Sequence, residues 1–487
     1  MEFFLLANDF THCNDNDLYK KTLNDAYIIL NKTRSNYPEY ASKIKQVRVA
    51  GEEELQKRTR SDDIKKTTTI YVEYKQNGLH RSVFTDIIGK DTNLGTGTFT
   101  TIELVTPPCE SIKELSWWVG ILIKSMLEAC KKNKLYFLPI ASHPDLDNYF
   151  CGEHHHIGIR DPGERLKIYN VMRFFLPILS ILSYSSFQKD EAITKQADQD
   201  IFKARPSNQN TRSKRLSRTQ QIKAVPELSR MNRTEFASAL KLSVETCRMV
   251  DMYPFTRYET LEVRIFDAQL SIARTIATAI LLQAICSFAL TIEDECIKKL
   301  TSLYTMKPYS MVRDDAINEG LLANTKTKPS FQTTFNKEFT ALCRDCNNTS
   351  RCNKKELGTN KCQFSVDDEI FHNLASFLFL PHQFRNNQQI FGKNVTNIKN
   401  VHQIKQMMSI LKPHIQAMQL ANSIPLRIVL ETIKKEMEAS MFLLVIYRNY
   451  GKKRFYEELV KIQEKIISGN TVWGIYYDPF FESRYIV

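Results

Sequence analysis

Apolar residues open the chain in an unbroken run, Phe3-Phe4-Leu5-Leu6, before a polar segment begins at Asn8. A short apolar run with polar flanks predicts a buried strand ending near Asn8. Residues 14–60 are strongly polar and predict helical or irregular structure. Alternation appears in TTTIYVEYKQNG (67–78) and HRSVFTDIIG (80–89), two strands whose Asn77-Gly78 junction is a hairpin signal. TGTFTTIELVTPP (96–108) predicts a third strand, stopped by Pro107 and Pro108. A helical period follows over 110–132, with Ser111 as cap and Trp117, Trp118, Ile121, Leu122 and Met126 as the apolar face. KLYFLPIASHP (134–144) predicts a strand, and 164–184 a long helix kinked at Pro177. TRYETLEVRIFD (256–267) alternates strongly and predicts another strand. The most apolar long run is 271–290; Arg274, Gln283 and several Ser and Thr residues make it a buried core helix and not a membrane span. Helical periodicity returns over 401–420, 424–449 and 453–468. Strands fill the first two-thirds and helices the last third, which predicts an α+β protein without internal repeats.

Composition narrows the class. With 487 residues, 43% hydrophobic and 25% charged, the chain is globular and neither disordered nor collagen-like. A net charge of +13 and a pI near 9.1 suit anionic partners, either nucleic acid or a nucleotide with acidic substrates. The basic residues are spread along the chain, which favours the small-molecule reading and makes nucleic acid an unlikely partner. The densest stretch, 203–223, holds seven Lys or Arg and no acid, and reads as a solvated connection. MEFFLLANDF has no basic n-region, so a cytoplasmic location is expected, with most of the 11 cysteines as reduced thiols.

Four segments carry candidate chemistry. In Gly152-Glu153-His154-His155-His156-Ile157-Gly158, strand geometry puts His154 and His156 on one face and His155 on the other. Two imidazoles flanked by glycines suit metal or phosphate contact; a surface or core histidine cluster is the plainer alternative. In Leu261-Glu262-Val263-Arg264-Ile265-Phe266-Asp267, Glu262 and Arg264 share one strand face. They form either a structural ion pair or a Mg2+ ligand beside an arginine for a transferring phosphoryl group. Arg257, just upstream, could bind a carboxylate. Glu103 and Glu2 are further acids inside apolar strands. Carboxylates on three strands with paired histidines form the kind of trough that binds magnesium-nucleotide.

These motifs, in this order, resemble the glutamate–cysteine ligase and carboxylate–amine ligase family, over residues 1 to about 290 and loosely beyond. The matching residues are Glu2-Phe3-Phe4-Leu5-Leu6, Glu103-Leu104-Val105-Thr106-Pro107-Pro108-Cys109, Gly152-x-His154-x-His156-x-Gly158 and Tyr258–Asp267. The resemblance implies an antiparallel glutamine-synthetase-like catalytic sheet over 1–300 and a helical region over 401–487 packed on the core; the cysteine-containing insertion and connection over 301–400 lies outside it. It implies ATP and Mg2+, with Glu2, Glu103, Glu262 and His154 as metal ligands and His154 or His156 on metal or phosphate. Arg264 would stabilise the phosphoryl group, and Arg257 would assist. The implied reaction joins the γ-carboxylate of glutamate to cysteine, or to another amine, through an acyl phosphate. A member that kept the fold and lost catalysis would be a binding protein, and a homo-oligomer is compatible with either reading.

The sequence departs from the family at three points. Further acids usually precede the position of Glu2, so a ligand is expected to lie upstream or to be missing. Glu259 stands where a small residue is usual. Phe384-Arg385-Asn386-Asn387 matches the late Asn/Arg helix start only loosely. Arg212, Arg215 or Arg218 would correspond to the family's substrate-holding Ser/Arg stretch. Outside the resemblance, Cys343, Cys346, Cys352 and Cys362 could bind structural Zn2+ tetrahedrally, hold an iron–sulfur cluster, or remain free thiols.

Overall fold

A computed structural model of the chain describes residues 1–36, 44–50, 69–92, 100–186, 213–334, 369–379 and 399–468, less 8, 12, 14, 77, 78, 139, 144–149, 219–221, 324, 326, 327, 329 and 332. In chain order, the first elements are β1 (Glu2–Leu6), α1 (Asn16–Ser35), β2 (Ile44–Ala50), β3 (Thr69–Gln76), β4 (Leu79–Thr92), β5 (Thr100–Leu104), α2 (Ile112–Lys132) and β6 (Tyr136–Leu138). Then come β7 (Gly152–Gly158), α3 (Pro162–Ser180), α4 (Lys214–Arg218), α5 (Arg233–Ala239), β8 (Met252–Tyr253), β9 (Thr260–Asp267) and α6 (Ile272–Thr291). Six helices close the described chain: α7 (Asp294–Leu303), α8 (Met306–Glu319), α9 (Glu369–Phe379), α10 (Asn400–Ala417), α11 (Ile424–Lys435) and α12 (Ala439–Ser468). The protein is α+β.

β1 buries Phe3 to Leu6, so it needs a partner on both edges. It finds them in β5 and β6, inside a six-stranded sheet of order β2-β3-β4-β5-β1-β6. Every pairing in this sheet is antiparallel, and Glu2 lies directly opposite Glu103. A second antiparallel sheet, β7-β9-β8, packs its first strand near β1. Helix starts follow local chemistry: Asp15, Ser111, Asp161 and Ser271 cap α1, α2, α3 and α6, and Pro162 opens α3. α6 lies in the middle of the helical layer against α2, α3, α10 and α11. Two helices, Pro162–Ser183 and Ile272–Thr291, are long and apolar enough to cross a bilayer; 89% of each apolar window is buried inside the protein. One apolar cluster runs from Phe3 to Ile466.

Several elements depart from the pattern-based expectation. β2 lies inside the polar stretch 14–60, where a bulge between Ile44 and Gln46 breaks the alternation of IKQVRVA. β8 has two residues, too few for a period. α8 occupies the start of the polar stretch after residue 300. The expected helix 424–449 is two helices: it breaks at Glu436, which adopts the left-handed conformation with φ 50°. Apolar periodicity crosses that break because Met437 and Ala439 are also buried. The Asn77-Gly78 turn lies outside the described residues.

Candidate functional site

β7 and β9 pair with His156 opposite Glu262 and Gly152 opposite Asp267. The register slips between Glu153 and His155, so Arg264 and Ile265 of β9 together face His154. Such a bulge re-aims side chains. The backbone N–H of Arg264 is held by the Asp251 carbonyl at 2.8 Å. Strand alternation then divides the histidines. His155 turns inward, 2.5 Å from the buried Glu153, whose other oxygen accepts from Thr275 at 2.8 Å. His154 and His156 turn to the face that carries Glu262 and Arg264.

Glu262 is fully buried. Arg248 grips it with a fork, Nε to Oε2 at 2.8 Å and Nη2 to Oε1 at 2.9 Å. Arg264 donates to Oε1 as well, and His156 Nε2 stands 3.7 Å from that oxygen. Burial opposes the charged form of Glu262, but the Arg248 fork and Arg264 outweigh it and hold the carboxyl below its usual value. Arg264 keeps one atom spare: its Nε is buried with no hydrogen-bond partner among the described residues.

Arg215 lies on the other side of His154. Its Nη1 donates to the carbonyls of Arg264 and Phe266, each at 3.1 Å, and Nη2 lies 3.5 Å from His154 Nε2. An arginine only donates, so this contact is a hydrogen bond in the tautomer that has the lone pair on Nε2 and the proton on Nδ1 of His154. Burial, then the charges of Arg264 and Arg215, hold His154 well below its usual value and keep it neutral at pH 7. Burial also lowers His156, against the pull of Glu262. The guanidinium of Arg215 lies against Gly152, where an added Cβ would stand 2.6 Å from its Cζ, Nε and Nη2. Glycine is needed there because a protein side chain comes close, whereas the sequence suggested a ligand.

Glu2 reaches this region from β1: its Oε2 accepts the Gly152 N–H at 2.6 Å. Its charge and that of Asp267 act on Arg215, and Glu103, opposite Glu2, acts on Arg248. Asp267 is itself fixed by Ser213 at 2.7 Å, Ser186 at 3.1 Å and the Ser185 N–H at 3.2 Å. Three carboxylates from three strands (Glu2, Glu103, Glu262) are thus matched by three guanidiniums (Arg215, Arg248, Arg264). The donor types suit a hard divalent cation. Among the described residues, however, no three His, Cys, Asp or Glu side chains gather around one point that could hold an ion. Arg248 takes the fork of Glu262 that such an ion would use.

Glu2, Glu103, His154, His156, Glu262, Arg264 and Arg215 therefore belong to one neighbourhood. Arg257 does not join it: it lies on the exposed turn before β9, its guanidinium 4.6 Å from the Tyr258 ring centre. Glu259 on that turn has φ 55°, a left-handed conformation that glycine adopts more readily than any residue with a Cβ. Arg212, Arg385 and the four clustered cysteines lie outside the described residues, as does the side chain of Arg218. Sequence reasoning missed Arg248, which sits in a turn with no periodic signal, and gave Asp267 no role. Neither a protein-family model nor a curated protein matches the chain.

Proposed function

We propose that the protein is a cytoplasmic, ATP-dependent carboxylate–amine ligase on a glutamine-synthetase-like sheet, joining the γ-carboxylate of glutamate to cysteine or another amine. The observation that carries this reading is the convergence of Glu2, Glu103, Glu262, His154, Arg215 and Arg264 where β1 meets β7. Mg2+ brought in with ATP would supply charge neutralisation at its phosphates; Glu2, Glu103 and Glu262 do not gather round one ion in this arrangement, so no step is assigned to a metal held by them. The chain's own groups have separable tasks. The unpartnered Nε of Arg264 is a donor for an anionic oxygen in a buried setting, where such a contact is strong. Arg215 adds fixed positive charge, held by the Arg264 and Phe266 carbonyls and attracted by the charge of Asp267. Neutral His154 offers an Nδ1–H donor without adding another charge. The bulge at Arg264 and Ile265 sets the angle between these groups.

The test is to incubate the protein with ATP, Mg2+, glutamate and a panel of amines, and to identify the product by mass. ADP release should need glutamate and an amine together, and Glu262→Gln or Arg264→Ala should abolish it. ADP release at an equal rate without any amino acid would remove the ligase reading. The double arginine grip on Glu262 supports a second reading, an anion-binding protein that has lost catalysis. That reading predicts salt-dependent nucleic-acid binding and no amine-dependent ADP.

A further inference from the structure

Glu262 holds two arginines, and they differ in what else they can reach. Arg264, two residues away on the same strand, is only 11% exposed. Arg248 comes from the turn between α5 and β8, and its side chain is 56% exposed. The turn itself is anchored: Cys247 and Val250 are fully buried, and the Lys223 N–H donates to the Met249 carbonyl at 3.0 Å. Arg248 uses Nε and Nη2 on the two oxygens of Glu262, and among the described residues its guanidinium bonds to nothing else. A guanidinium has five N–H donors, so three remain, two on Nη1 and one on Nη2. Nη1 and Nη2 form a second fork along the edge of the plane that Glu262 does not use. A buried carboxylate thus fixes the angle of an exposed arginine that still has a bidentate edge to offer. Such an edge matches the two coplanar oxygens of a carboxylate. Charge argues against a polyphosphate there. Glu2, Glu103 and Glu262 balance the three guanidiniums, and the charge of Glu103 acts on Arg248 itself. With little surplus positive field, recognition falls to directed hydrogen bonds, which one carboxylate satisfies better than a polyanion.

We propose that Arg248 is a carboxylate receptor, oriented by Glu262, that binds the α-carboxylate of the amino-acid substrate through its unused Nη1/Nη2 edge. The inference rests on the ligase reading with glutamate as the acid substrate, and it needs no ion held by the protein. In that reading the γ-carboxylate is given to phosphoryl transfer, so the α-carboxylate is the one left to be held. Glu262 then has a task of its own, which is to keep the guanidinium plane in one orientation before substrate arrives. A receptor fixed in advance loses little conformational freedom on binding.

The test is isothermal titration calorimetry of the full chain with L-glutamate and with its α-amide, in the presence of Mg2+ and a non-hydrolysable ATP analogue that is also titrated separately. The two amino acids have the same shape and differ in the charge and hydrogen bonding of the α-carboxyl group. The wild type should bind glutamate at least about tenfold more tightly than the amide, as expected for charge-assisted hydrogen bonds. Arg248→Lys, which keeps the charge and loses the fork, should cut that preference to about threefold or less, and Arg248→Gln should remove it. Affinity for the ATP analogue should stay within about twofold of wild type in both variants. If Arg248→Gln does not fold, the lysine variant decides alone. A preference that survives in the variants, a wild type that binds glutamate and the amide equally, or variants that lose the analogue and keep the preference would each overturn the receptor and leave the ligase reading standing. A wild type that binds neither amino acid would overturn the receptor together with the glutamate reading.

Discussion

Replacing Gly152 with alanine tests whether Arg215 is a fixed part of this site. Gly152 pairs opposite Asp267 in an ordinary strand, so the backbone itself accepts alanine. The new methyl would stand 2.6 Å from three atoms of the Arg215 guanidinium. An arginine tip is usually flexible enough to move aside. This one is buried and donates to two carbonyls at 3.1 Å, so moving it loses two charge-assisted bonds. Those bonds are worth roughly 1.5–3 kcal/mol each. Alanine returns roughly 0.4–1 kcal/mol by restricting the unfolded chain. The expected net loss is roughly 2–5 kcal/mol. Urea unfolding followed by circular dichroism measures it, with Gly158→Ala as the control, because a Cβ at Gly158 meets nothing within 4 Å. The control should be neutral or slightly stabilised. In an Arg215→Ala background the same Gly152→Ala change should cost at least about 1 kcal/mol less, since the two positions touch. If Gly152→Ala is as stable as the control, or if its cost persists undiminished without Arg215, the packing argument fails.

Three further outcomes are expected. His154 has a lower pKa folded than its ordinary 6.5, because of burial and then Arg264 and Arg215. Below about 6.5 the unfolded chain therefore takes up a proton that the folded chain does not; stability is full above that value and falls as pH drops toward the folded pKa. The melting temperature should decrease from about pH 7.5 to about pH 5.5, more steeply than in His154→Gln; equal slopes in the two proteins would refute this. Asp251→Asn should cost roughly 3 kcal/mol by removing the buried counter-charge of Arg313 and leaving it only the largely exposed Asp314 at 3.3 Å, as seen in thermal unfolding. Adding Arg313→Met should restore much of that loss. Metal analysis of the purified protein should give about one equivalent of zinc for Cys343, Cys346, Cys352 and Cys362; less than about 0.3 equivalents of zinc or iron would leave free thiols as the answer.

The α+β class and the separation of His154 and His156 from His155 were legible because strand alternation fixes which side chains share a face. The shared face of Glu262 and Arg264 was legible for the same reason. The opposition of Glu2 and Glu103 was not, because register between strands a hundred residues apart leaves no mark in either segment. Arg248 was invisible for a related reason: its contact with Glu262 depends on how a turn folds over a sheet edge. The short β8 and the bulged β2 escaped because two residues have no period and a bulge resets it. Gly152 shows that a correct local reading can have the wrong cause, since its missing side chain makes room for Arg215.

The position of β1 in its sheet sets a schedule for biosynthesis. This strand is translated before both strands that flank it, and its bond from Met1 to Leu104 spans 103 positions. At ribosomal speeds of about 5–20 residues per second, Phe3-Phe4-Leu5-Leu6 waits roughly 5–20 s for β5 and longer for β6. During that time four apolar residues with unsatisfied backbone edges are available to other chains. A nascent-chain chaperone that covers the emerging segment would therefore be expected to raise the yield of folded protein more than one acting after release.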